Sequence, residues 1–199
     1  MLLRRITLLH LRMNKGTGAG GANTNLLGKK FEELTDNEPR LLSNGFVKKI
    51  TSKAKFGYHL TKRTDDSEII FVLQSGLKEY MKSKFGIELF RCPDEAYITI
   101  PHNPDLPVKI LILEKKEQNV EGSVETKLWS GPSLKREYQI VLGEDFEVIY
   151  TFCVSQFLKS KINGIEKKYT VLKQIFKESD ITVLFGEDPT YFEKLDDLL

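Results

Sequence analysis

The sequence predicts an α/β fold in which a mixed central β-sheet is flanked by helices. Three observations carry that expectation. Runs rich in β-branched and leucine residues, at 68–73, 108–113, 146–154 and 181–185, have the length and composition of strands. Segments with helical spacing separate them, and Gly or Pro marks most of the boundaries. The order, helix then strands then helix then strand, suits one mixed sheet between helical layers.

A first helix is expected from about Asn25 to Leu34, because Leu27, Phe31 and Leu34 fall on one face. Residues 39–55 read as a second helix or an irregular basic region. Glu68 to Leu73 is a strand, and Ser75 to Phe85 a helix capped by Ser75 and ended by Gly86. Two neighbouring strands follow, Cys92 to Ile98 and Val108 to Gln118, joined by the proline-marked turn 101–107. Gly122-Ser123 punctuates a loop, and Val124 to Gln139 includes helix interrupted at Gly131-Pro132. Phe146 to Val154 is a strong strand, Ser155 to Glu178 is mainly helical with a break at Asn163-Gly164, and Ile181 to Phe185 is a short last strand.

The 199 residues suit a single domain, with 1–20 an N-terminal arm or extension and 178–199 an acidic C-terminal segment. The arginines of Met1 to Arg12 allow a short targeting segment, but no small-residue cleavage site follows; Met13 is a second candidate start. No apolar run approaches the ~20 residues that span a membrane, so a soluble, cytoplasmic or otherwise intracellular protein is expected. Cys92 and Cys153 are too few and too far apart for a disulfide scaffold or a zinc site, and both read as core. His10, His59 and His102 show no ligand spacing, which leaves a His-based hydrolase without support. Net charge is only +2, yet residues 1–64 hold thirteen basic against four acidic residues, and 178–199 hold one against seven. That asymmetry suits a basic half facing a polyanion and an acidic tail kept away from it.

The most informative stretch is the hairpin. Its turn centres near Pro104, ten residues after Asp94 and ten before Glu114, so antiparallel pairing about that centre sets the two acids side by side. Side chains alternate along a strand, so Glu114 and Lys116 share one face while Lys115 points away. Two other Glu-x-Lys tripeptides occur, Glu125-Thr126-Lys127 at a helix start and Glu166-Lys167-Lys168 in a helical segment, but only Glu114-Lys115-Lys116 ends a buried-strand run. Asp105, nine residues or about 30 Å of extended chain from Glu114, is too distant to share a ligand.

Pro93-Asp94 followed by Glu114-Lys115-Lys116 resembles the PD-(D/E)XK nuclease superfamily, to which many type II restriction endonucleases belong. The resemblance extends to 21–33, Gly-Ala-Asn-Thr-Asn-Leu-Leu-Gly-Lys-Lys-Phe-Glu-Glu, which is similar to that superfamily's first helix. It implies a restriction endonuclease-like αβββαβ core around a four-stranded sheet. It also implies Asp94 and Glu114 as ligands of Mg2+ (Mn2+ as a substitute), aided by a strand carbonyl near Lys115. Lys116 would orient the attacking water and stabilise charge on the phosphate. Glu32, in preference to its neighbour Glu33, would support the metal or a water, with a solvated surface acid an equal alternative. The implied substrate is double-stranded DNA, and reading short palindromes would call for a homodimer.

Candidate DNA contacts are Asn23, Asn25, Lys29 and Lys30 near the first helix, Gln118 on the face of the acids, and Lys127, Ser130, Ser133, Lys135 and Arg136 just after the catalytic strand. For the last group, a packed Trp129 and Leu134 with solvated charges is an equal alternative. Gly16 to Gly21 formally matches a dinucleotide-binding loop, but the βαβ unit that such a site needs does not follow. A repair or junction-resolving nuclease, a noncatalytic DNA-binding protein and, most weakly, a nucleotide-dependent oxidoreductase are the competing readings.

Overall fold

Among the described residues, seven strands form one mixed sheet whose spatial order, β1-β2-β3-β4-β5-β6-β7, is also the sequence order. The structure is a computed structural model and describes residues 29–118 and 124–199. Strands β1 (Val47–Ile50), β2 (Tyr58–Arg63), β3 (Ser67–Leu73), β4 (Glu95–Pro101) and β5 (Val108–Lys116) run as an antiparallel meander. Strands β6 (Phe146–Val154) and β7 (Ile181–Phe185) are added in parallel. Parallel pairing demands long crossovers. Helices α4 (Val124–Trp129) and α5 (Gly131–Leu142) make the first, and α6 (Gln156–Ile162) and α7 (Lys167–Glu178) the second.

The sheet separates two apolar layers. On one face Ile70, Ile98, Ile110, Ile112, Tyr150 and Phe152 pack against α3 (Ser75–Phe85) and the crossover helices, through Leu77, Met81, Leu128, Tyr138, Leu158, Leu172 and Phe176. On the other, Leu60, Phe71, Tyr97, Leu111 and Leu113 pack against Phe31 of α1 (described over 29–34), Leu41 of α2 (Asn37–Ser43) and Tyr191 and Leu195 of α8 (Tyr191–Asp196). Strict alternation along β5 assigns each residue to a layer, and the same alternation sorts the functional side chains below.

Several expectations need correction. Residues 39–55 are neither one helix nor irregular: α2 ends at Ser43 and β1 follows, paired with the equally unforeseen β2. All four residues of β1 are exposed, so no alternation of apolar and polar side chains marks it. Ser75 does not cap α3; the cap position is Gln74, with φ 42°, and Gly86 ends the helix in the left-handed conformation as expected. Cys92 is exposed, while Cys153 is buried. The acidic segment 178–199, which holds the expected last strand, is packed into the domain. Its β7 and α8 close the second layer, with Tyr191 1% and Leu195 0% exposed, and Asp196 bonds Arg40 at 2.7 Å. The Gly16–Gly21 loop lies outside the described residues. Among the described residues, no helix is long and apolar enough to cross a membrane.

Gly186, just after β7, shows how closely this layer is packed. A Cβ there would lie 2.6 Å from Phe31 Cε2 and Thr35 Cγ2 and 3.0 Å from Cys153 Sγ. Overpacking of this kind costs about 1–3 kcal/mol. Gly186→Ala is therefore expected to lower the thermal midpoint measurably; an unchanged melt would show that α1 yields freely.

Candidate active site

The residues of interest gather where β4 and β5 run out together. The register pairs Glu95 with Leu113 and Tyr97 with Leu111. One step further, it sets Asp94 opposite Glu114 and Pro93 opposite Lys115. Lys116 gives its carbonyl to Ser155 N at 3.2 Å on the β6 side, so alternation turns the N–H and C=O of Lys115 towards β4. Pro93 has no N–H to return, and the ladder stops there. Side chains take over the released groups: Asp94 Oδ2 accepts the Lys115 N–H at 2.8 Å, and Lys116 Nζ donates to the Lys115 carbonyl at 3.2 Å.

Asp94, Glu114 and Lys116 share the layer of Ile110 and Ile112. Lys116 Nζ donates to Glu114 Oε2 at 2.6 Å and to Asp94 Oδ2 at 3.4 Å. The Lys116 and Glu114 side chains are 15% and 17% exposed, whereas Asp94 keeps 41% of its surface. The group is thus anchored inside and open at Asp94. Burial raises the Glu114 carboxyl above its ordinary range; Lys116 opposes this shift, Asp94 adds to it and Lys127 opposes it. Beneath lie Tyr138 and Tyr150, whose buried hydroxyls have no hydrogen-bond partner among the described residues. Burial raises both phenols, and the charge of Glu114 raises them further.

A second ion pair occupies the opposite face of the same two strands. Lys115 Nζ donates to Glu95 Oε1 at 2.5 Å and to Thr35 O at 2.7 Å. Asn37 Nδ2 donates to Glu95 Oε2 at 2.6 Å, and Arg40 donates to Asn37 Oδ1 at 3.1 Å. Glu95 is 3% exposed. Burial raises its carboxyl, against the pull of Lys115 and Asn37. Neither this network nor the tyrosines was foreseen. The network's signal is in the sequence, since Glu95 and Lys115 are each one residue out of phase with the Asp94, Glu114 and Lys116 set.

The remaining candidates divide. Glu32 does not join Glu114 and Lys116: α1 packs on the other face, where exposed Glu32 lines a cleft of about 440 Å³ with Glu95, Lys115, Glu117 and the margin of Asp94. Lys29 and Lys30 are exposed on the same helix, and Asn23 and Asn25 lie outside the described residues. Gln118 is 6% exposed. Its Oε1 accepts from Glu125 N at 3.0 Å and its carbonyl from Ser155 Oγ at 2.8 Å, so it is built into the crossover instead of projecting. Lys135 Nζ is taken by Ser179 O and Asp180 O, at 3.1 and 2.7 Å, and ties α5 to the end of α7. Ser130 Oγ turns back to Lys127 O at 2.7 Å. Ser133 and Arg136 are exposed beside Phe90 and Ile140, and Trp129 keeps 38% of its surface. Of the group after β5, Lys127 registers electrostatically on Glu114.

The oxygen donors suit a hard cation. Asp94 Oδ1 and Glu114 Oε1 accept no hydrogen bond among the described residues, and the Lys115 carbonyl adjoins them through Lys116. Two carboxylates and one ammonium leave a formal charge of −1, and the two orphaned hydroxyls add polar groups that want a water or a ligand. Mg2+ takes few protein oxygens and keeps its waters, so two carboxylates suffice. Among the described residues, no three His, Cys, Asp or Glu side chains converge into a fuller cage. Comparison with family models, with curated proteins and with solved structures returned no match to this chain.

Proposed function

We propose that the protein is a Mg2+-dependent endonuclease that hydrolyses phosphodiester bonds of double-stranded DNA, with Mn2+ as a substitute ion. In finer terms we propose a sequence-specific type II restriction endonuclease acting as a homodimer. One observation carries the first statement: two carboxylates and a lysine meet at the end of an antiparallel pair, with the ammonium within 3.4 Å of each carboxylate and one carboxylate open to solvent. The finer statement rests on the resemblance of 21–33 and of the Pro93-Asp94 and Glu114-Lys115-Lys116 motifs to that class.

Asp94 and Glu114 would hold the cation, with the Lys115 carbonyl alongside. When bound, the ion polarises the scissile phosphate and acidifies a water. Lys116 gives its three N–H donors to Glu114, Asp94 and the Lys115 carbonyl; the long 3.4 Å bond to Asp94 is the one it would redirect to the attacking water or a phosphate oxygen once a cation holds that carboxylate. A fixed ammonium in a half-buried site is worth more there than in water. Tyr138 and Tyr150 provide a polar floor that keeps Glu114 from an entirely apolar wall. Lys127 adds positive charge at the rim, where a phosphate backbone would pass.

The test is direct. Purified protein is incubated with unmethylated viral genomic DNA and Mg2+, and the fragment ends are sequenced. Discrete ends are expected, and they would report recognition site and stagger together. Preference for branched or mismatched DNA would replace the restriction assignment with a repair or junction-resolving one. Binding of DNA with no cutting in Mg2+ or Mn2+ would overturn the enzymatic reading.

A further inference from the structure

The residues that flank the candidate site in sequence are bound into the opposite face of the sheet, and their arrangement is more elaborate than stability asks. At the neighbouring positions of that face the contacts are apolar: Tyr97 pairs with Leu111, and Leu113 lies beside them in the core. Glu95 and Lys115 interrupt this layer with a buried ion pair. Such a pair is a poor stabiliser compared with apolar residues of the same volume, because both ions must leave water. What it does supply is direction. Hydrogen bonds fix angles that dispersion contacts leave soft.

We infer that Glu95 and Lys115 are positioning residues for Asp94, Glu114 and Lys116, and that they hold the spacing at which the two carboxylates accept a divalent cation. The inference rests on the proposed function and deepens it. The linkage runs through the backbone. Lys115 lies between Glu114 and Lys116, and its own N–H is the donor that orients the Asp94 carboxylate at 2.8 Å. With Pro93 ending the ladder, no strand hydrogen bond holds Lys115 to β4 beyond Glu95. Its side chain is held instead, by Glu95 Oε1 at 2.5 Å and by Thr35 O, at the end of α1, at 2.7 Å.

Glu95 is gripped in turn by Asn37 at 2.6 Å, and Asn37 by Arg40, which bonds Asp196 of α8 at 2.7 Å. A rotation of β5 about its axis would swing Glu114 away from Asp94. The same rotation would pull Lys115 from Glu95 and Thr35 together. The face of the sheet that carries the candidate site is thereby held in register by bonds on the opposite face, through α1, α2 and α8.

The test compares wild type with Glu95→Gln, Lys115→Met and the double variant Glu95→Leu/Lys115→Met. The double variant removes both charges at once and so leaves none buried unpaired, which makes it the one expected to fold if a single variant does not. Leu195→Ala, a cavity variant in the same layer, controls for lost stability. Mn2+ binding is followed by electron paramagnetic resonance without DNA, and kcat and KM for cleavage are measured separately. Loss of a ligand's outer partner typically costs roughly 10-fold to 100-fold in metal affinity. The double variant is expected to show that loss, with a matching fall in kcat and little change in KM, while Leu195→Ala keeps wild-type affinity for Mn2+.

A folded double variant that binds Mn2+ and turns over like wild type would overturn the inference and leave the nuclease reading standing. Equal losses in the double variant and in Leu195→Ala would also overturn it, since stability alone would then explain them. A wild-type protein that binds Mn2+ without cutting DNA, with binding lost in the double variant, would support the positioning role and remove the nuclease assignment. A wild-type protein that neither binds Mn2+ nor cuts DNA would remove both.

Discussion

Lys116→Ala is expected to reduce DNA cleavage by about 100-fold or more, the usual consequence of losing a preorganised donor to developing charge. The same variant should bind Mn2+ at least as well as wild type. Lys116 neutralises part of the charge of Asp94 and Glu114, at 3.4 and 2.6 Å; without it, two carboxylates face each other and a cation is the natural remedy. Asp94→Ala separates the roles, because it should lose cleavage and Mn2+ binding together. Folding should survive Asp94→Ala, since that side chain is 41% exposed; Lys116→Ala leaves Glu114 unpaired at 17% exposure, so its fold is checked by circular dichroism alongside the binding measurement. Cleavage at the wild-type rate by Asp94→Ala protein would end the nuclease assignment.

The largest expected loss of stability belongs to Phe152→Ala. Phe152 is 0% exposed in the C-terminal half of β6. Its ring lies 5.4 Å from that of Tyr150 and 5.6 Å from that of Phe176. Gly131, at the start of α5, comes so near that a Cβ there would be 2.7 Å from Phe152 Cε2. Truncation therefore empties the space between the sheet and two crossover helices at once. Removing such a ring costs about 3–5 kcal/mol, a large part of the ~5–15 kcal/mol that holds a domain together. Urea unfolding followed by far-UV circular dichroism should show a greatly lowered midpoint, and a midpoint within error of wild type would show that α5 and α7 can close the gap.

The central and C-terminal elements were legible because their residues report their own environment. Buried strands such as β5 and β6 are continuous apolar runs, and α3, α5 and α7 carry helical spacing with glycine or proline near their ends. The hairpin and its register followed from turn position alone, with Asp94 and Glu114 equidistant from Pro104. Strands β1 and β2 were not legible for the opposite reason. An edge strand reading Val-Lys-Lys-Ile is exposed throughout and takes its conformation from its neighbour, and lysines there discourage pairing with other chains. The placement of Glu32 on the layer opposite Glu114 was not legible, because a helix residue's sheet face depends on how the helix docks, which its own spacing does not say. Gln118 has the right phase for the site, but the strand ends at Lys116 and the chain turns into the crossover.

Alternation across β4 and β5 has a further effect on how the chain reaches its native pairing. A slip of β5 by one residue would drive Glu114 and Lys116 into the layer of Tyr97, Tyr191 and Leu195 and send Lys115 and Leu113 to the other side. A hairpin misaligned by one residue, or by any odd number, would strand charge in oil. The acids and lysines at this corner thus act as a proofreading mark during assembly: only the alignment that seats Lys115 on Glu95 also brings Asp94, Glu114 and Lys116 together, so a misthreaded molecule disposed to persist is also one without a site.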